Sequence, residues 1–243
     1  MQPVFEQEFI VRSNETGPNQ LVSLPALGNF IQESAWGHSL NLGVSLYQLI
    51  PKGLTWVLAR IQIKMQKLVK HQEVFKVETW PTGYEFFNVY RDFLFKDGSG
   101  NEIGRATTKW VVLDFKKRQP IQVPDFIKDI RLDYPEPALQ RPDMRLEQID
   151  NPDFENHFLA QWHDIDINKH VNNLSYLRWL VETTPTEILQ SRKLTEADVV
   201  FRAECTLHDK ITGKGVSNGN HFNYQLENDK QNRHLVYARM SWN

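Results

Sequence analysis

One order of elements occurs twice along this chain, and it limits the fold more than any other feature: a strand, a long helix, then several strands. In the first half, residues 5–12 alternate as a strand, and residues 24–42 place Leu27, Phe30, Ile31, Ala35 and His38 at helical spacing. Ser23 is a natural N-cap and Gly43 a natural stop. Alternating patterns follow at 56–68, 74–80, 84–96 and 103–115, with turns expected at Pro81-Thr82-Gly83 and across 97–101. The second half replays the order: a strand at 154–162, a helix at 171–189 and strands at 199–208, 216–226 and 234–242. Leu174, Leu177, Trp179, Leu180 and Ile188 supply the apolar face of that second helix.

A long helix followed by an antiparallel sheet of similar length invites the sheet to curl around the helix, which is the hotdog arrangement. Two copies in series give an α+β tandem double hotdog. The expected division is an N-terminal unit at 1–118, a connector at 119–150 and a C-terminal unit at 151–243. The connector carries Pro120, Pro124, Pro135, Pro137 and Pro142, a density that removes backbone donors from any ladder.

The densest polar segment is residues 162–173, between a strand and the second helix. Asp164, Asp166, Asn168, His170 and Asn172 fall at every second position, so an extended chain would point all five the same way. Helix capping explains one or two such residues; five in register with a histidine suggest a site, with the N–H groups of the following helix available to an oxyanion. A second candidate lies at 201–207, where alternation puts Arg202, Glu204 and Thr206 on one face and Cys205 on the apolar one. Cys205 is then a core thiol rather than a nucleophile.

Other chemistries lack their signatures. The chain has one cysteine, which excludes an internal disulfide and a thiolate-cluster metal site. Neither HExxH nor a phosphate-cradling glycine motif occurs, so no metal and no nucleotide cofactor are expected. The formal net charge of -2 argues against a protein that coats nucleic acid. That small total conceals an asymmetry, since residues 52–118 hold 13 Lys+Arg against 7 Asp+Glu. Such a field can steer an acidic partner.

The string Asp164-Ile165-Asp166-Ile167-Asn168-Lys169-His170-Val171-Asn172-Asn173, followed by Tyr176 and Trp179, resembles the signature of the plant and bacterial acyl-acyl carrier protein thioesterases. Arg202-Ala203-Glu204-Cys205 is similar to that family's second active-site strand, and Arg91-Asp92 and 105–110 resemble further blocks. The resemblance implies a double hotdog whose first half houses an acyl chain and whose second half carries the chemistry. By resemblance Asp166, Asn168, His170 and Glu204 are the catalytic positions, and Cys205 is an alternative nucleophile. It also implies acyl carrier protein as partner, with Lys64, Lys67, Lys109, Lys116, Lys117 and Arg118 as contact candidates. The alternatives are an acyl-coenzyme A thioesterase and a non-catalytic fatty-acyl binding protein. The chain shows neither a transit segment nor a spanning stretch, so a bacterial cytoplasmic setting is expected, or a plastid one after trimming. A tandem double hotdog permits oligomerisation without requiring it.

Overall fold

The computed structural model describes residues 3–130, 135–141, 146–231 and 233–243. Its first half runs β1 (Phe5–Ile10), α1 (Leu24–Asn41), α2 (Leu46–Leu49), β2 (Leu54–Met65), β3 (Val74–Glu85), β4 (Asn88–Asp97), β5 (Glu102–Asp114), β6 (Gln119–Pro120) and α3 (Asp125–Lys128). The second runs β7 (Phe154–Leu159), α4 (Asn173–Thr183), α5 (Thr186–Ser191), β8 (Leu194–Phe201), β9 (Lys210–Asn218), β10 (His221–Asn228) and β11 (Arg233–Trp242).

Ser23 caps α1 by accepting the Ala26 N–H, and all five residues of the expected apolar stripe are buried. The strands form one antiparallel sheet in the order β1-β3-β4-β5-β2-β8-β11-β10-β9-β7, with β6 beside β5. The order of elements thus produces the tandem double hotdog: α1 and α4 lie against each other, and the sheet wraps the pair. The two half-sheets meet where β2 pairs with β8, Arg60 opposite Val200 through Lys64 opposite Glu196. At that seam the Arg60 guanidinium forks onto Asp198, at 2.7 Å from Nε and 2.5 Å from Nη2.

Several expected boundaries move, each for a local reason. Pro81-Thr82-Gly83 does not end a strand; it forms a bulge inside β3, where Gly83 takes φ +116°. At a bulge the missing proline donor costs no ladder bond. The reversal comes at Phe86-Phe87, with Phe86 at φ +46°. The expected 171–189 helix breaks because Pro185 holds Thr184 extended at ψ 133°. The 216–226 strand is a hairpin turned at Gly219, φ +67°. Residues 202–208 leave the sheet after Phe201, where the Tyr176 hydroxyl takes the Cys205 N–H. Of the proline-rich stretch, Val123 and Ile127 pack on Leu42, Val44, Leu49 and Val112 of the first half, and Pro142 lies outside the described residues.

Close approach of the two helices rests on Gly28. A Cβ there would meet Leu177 Cδ1 at 2.6 Å and Leu174 Cδ2 at 3.0 Å. Gly28→Val should therefore cost about 1–3 kcal/mol by overpacking. Urea unfolding would read this as a lower midpoint at unchanged slope, whereas an unchanged midpoint would mean that the helices do not touch at this residue.

Candidate active site

The histidine segment is a closed turn, not the extended row that its alternation suggests. Ile165 and Val171 bridge, the Asp166 N–H donates to the His170 carbonyl at 2.8 Å, and Lys169 takes φ +64° to make the reversal. The five polar residues separate accordingly. Asp164 is buried in a 3-10 turn, where it accepts the Gln161 N–H at 2.8 Å and the Arg178 guanidinium at 2.6 Å. Asn172 caps α4 by accepting the Leu174 N–H at 2.8 Å. These two hold the scaffold, and Asp166, Asn168 and His170 remain at the tip.

Asp166 secures Asn168 by accepting its backbone N–H at 2.8 Å and its side-chain amide at 3.2 Å. The turn is then tied to the segment after β8: the Val171 N–H donates to the Cys205 carbonyl at 2.9 Å. The Tyr176 hydroxyl of α4 accepts the Cys205 N–H at 3.0 Å and donates to Sγ at 3.3 Å. This clamp places His170 Nε2 3.6 Å from a Glu204 carboxylate oxygen. Both groups are partly open to solvent, while His170 Nδ1 is buried without a hydrogen-bond partner among the described residues.

Cys205 sits on the other side of the same backbone, 1% exposed. Burial pushes its thiol up to about 12, and the carboxylates of Asp209 and Asp164 add to the effect against the lowering bond from Tyr176. Burial likewise raises the Tyr176 hydroxyl. Such a thiol stays protonated near neutrality, which is the wrong state for a nucleophile.

Two features of the site had no sequence signal. Arg118, 86 residues before Glu204 in the chain, lays its guanidinium on both Glu204 oxygens, so a residue expected to greet a partner instead caps the carboxylate. Lys64 is similarly engaged with Glu196 at 3.3 Å. The expected oxyanion donors at the start of α4 are also reduced: the N–H groups of Leu174 and Ser175 already bond to Asn172. The Asn168 amide, held by Asp166, belongs to the same turn as His170.

These features define a class: a tandem hotdog with a histidine and a carboxylate paired at one helix entrance. Among the described residues no helix is long and apolar enough to cross a membrane. The family model described as the acyl-ACP thioesterase N-terminal domain matches residues 2–130, and that of the C-terminal domain matches 147–243. The chain belongs to the acyl-ACP thioesterase family. It is 31% identical over 231 residues to the chloroplastic oleoyl-acyl carrier protein thioesterase 2 of Arabidopsis thaliana, covering 85% of this chain and 61% of that protein. The 12:0-ACP thioesterase structure from Umbellularia californica superposes with a TM-score of 0.89 at 26% identity, covering 100% of this chain and 98% of that one. An acyl-ACP thioesterase structure from Bacteroides thetaiotaomicron has the same fold, with a TM-score of 0.89 at 22% identity over 99% of this chain and 98% of that one. The chain spans 61% and 62% of the length of two curated relatives that it matches.

The thiol's surroundings predict its reactivity. An aromatic disulfide reagent at pH 8 should leave the folded protein unlabelled and titrate the single cysteine once guanidinium unfolds it. The unfolded thiol ionises near 9.0 and the folded one near about 12. The unfolded state therefore loses its proton first, and this contribution to stability, constant below that window, falls as pH rises through it. Rapid labelling of the native protein would contradict the assignment.

Proposed function

We propose that the protein hydrolyses fatty acyl thioesters of acyl carrier protein to a free fatty acid and the carrier thiol. The observation that carries this reading is the approach of His170 to Glu204 in a chain that matches both halves of the thioesterase family. The first half receives the acyl chain and the carrier, the second carries the chemistry, and the connector joins them. Glu204, assisted by His170, takes the proton of an attacking water or attacks the thioester carbonyl itself. In the water route the new C–O bond moves the carbonyl electrons onto oxygen, where the Asn168 amide donates to the oxyanion. Collapse of that intermediate expels the thiolate, which takes a proton from the acid–base pair. Asp166 is a positioning residue that holds Asn168. The reaction takes place wherever acyl carrier protein is available, in a bacterial cytoplasm or a plastid stroma.

The proposed route divides the two adjacent residues of the second motif. Glu204→Ala should lower kcat by about 10²–10⁴-fold, the usual scale of acid–base help, while Cys205→Ala retains most of it. A thiol-release assay on acyl carrier substrates of graded chain length measures both. Full loss in the cysteine variant with retention in Glu204→Gln would reverse the roles. Electrostatic docking predicts that added salt lowers kcat/KM for the carrier substrate. A salt-independent kcat/KM would refute that docking.

A further inference from the structure

A second constellation of charge lies on the outer face of the sheet at the seam between the halves. Arg60 of β2 stands directly opposite Lys109 of β5 and Val200 of β8, and Arg202 follows two residues after Val200. Together with Ala59, Val200 and Phe201 they line a cavity of about 270 Å³. The β2–β5 register shifts between Leu58 and Arg60, leaving Ala59 as a bulge. A bulge re-aims neighbouring side chains and opens a hollow in an otherwise even face.

The charge in this hollow is unbalanced. Asp198 offsets Arg60 alone. Among the described residues neither Lys109 nor Arg202 has a carboxylate within ion-pair distance. Glu85, whose field does reach Lys109, is taken up by Arg141 at 3.2 Å and by the Tyr90 hydroxyl at 3.1 Å. Burial holds the Lys109 ammonium below its ordinary range, and the nearby charges of Arg60 and Arg202 press the same way. Beside an Arg60 held on Asp198, Lys109 and Arg202 thus bring to one concavity two cations that no carboxylate among the described residues pairs, and an ammonium with a guanidinium suits phosphate oxygens.

We infer that the hollow lined by Arg60, Lys109 and Arg202 is a phosphate-binding site. On the thioesterase reading above, it grips the phosphate at the root of a pantetheine arm while the thioester end reaches Glu204. Val200 lies four residues before Glu204, at most about 13 Å even were the chain between them fully extended, a span that such an arm covers. The same chemistry would accept a phosphate of coenzyme A, and the two sources are separated by experiment.

The test uses the full chain and variants Lys109→Gln and Arg202→Gln. Inorganic phosphate should raise the Tm of the wild type and not of either variant. Without phosphate, Lys109→Gln should melt no lower than the wild type, because it relieves repulsion. Three thioesters of one acyl chain then divide the possibilities: on acyl carrier protein, on coenzyme A and on N-acetylcysteamine, which has no phosphate. Each variant should raise KM for the carrier substrate about tenfold, the scale of one charge-assisted hydrogen bond. Its ratio of kcat/KM for the carrier substrate to that for the N-acetylcysteamine substrate should fall with it. A loss confined to the coenzyme A substrate supports the site and assigns the other source. Equal losses on all three substrates, or a phosphate shift that survives in both variants, would overturn the inference. Were no thioester turned over at all, the thioesterase reading would fall, and the phosphate-induced Tm shift would still decide the site.

Discussion

The pairing of β2 with β8 is the constraint on which the rest of this molecule depends. Five residue pairs, Arg60 through Lys64 against Glu196 through Val200, turn two half-sheets into one. The fork from Arg60 to Asp198 crosses the same seam with both side chains largely shielded. Taking away one member of such a pair strands the other charge, at a cost on the order of 3 kcal/mol. Because the seam is fixed, α1 and α4 are pressed together at Gly28, where the absence of a side chain sets their separation. The seam also sets β5 alongside β2, close enough for the turn after β5 to reach Glu204.

The chemistry then follows from how one short backbone segment is divided. Glu204 and Cys205 are consecutive, yet one faces a partly hydrated site and the other is enclosed against Tyr176. A buried carboxylate without partners would be costly, and Glu204 avoids that by staying partly open to solvent and meeting Arg118. A buried thiol carries no such penalty while it stays neutral. Sorting them the other way would expose a small apolar group and bury a charge. Packing therefore leaves Glu204, and not Cys205, open to the site.

How much of this was legible in the sequence depends on the range of the interactions. The stripe Leu27, Phe30, Ile31, Ala35 and His38, capped by Ser23, is a local pattern, and it appears as read. Pro81-Thr82-Gly83 is equally conspicuous but ambiguous, because a proline–glycine pair can mark a bulge as readily as a reversal; the pairing with β4 decides, and it is not local. The alternation of Asp164 through Asn172 suggests an extended row where the chain forms a closed turn. An extended row would have left the Asp164 carboxylate to water, whereas the fold turns it onto Arg178 of α4. Burial of the thiol follows from sequence parity, although the strand that parity assumes stops at Phe201.

Arg118 marks the limit of that legibility and adds a constraint on the proposed chemistry. From sequence it is one of three adjacent cations, Lys116, Lys117 and Arg118, in a turn fixed by bonds from two backbone N–H groups to Asp114. In space it spends its charge on Glu204. The carboxylate on which the proposed mechanism calls is therefore engaged on both oxygens by one guanidinium. His170 stands at 3.6 Å, beyond hydrogen-bonding length. Arg118 and His170 thus face one group, and the guanidinium is the closer partner. On the proposed reading, an acidic carrier settling on the turn would meet the same side chain that here caps the carboxylate.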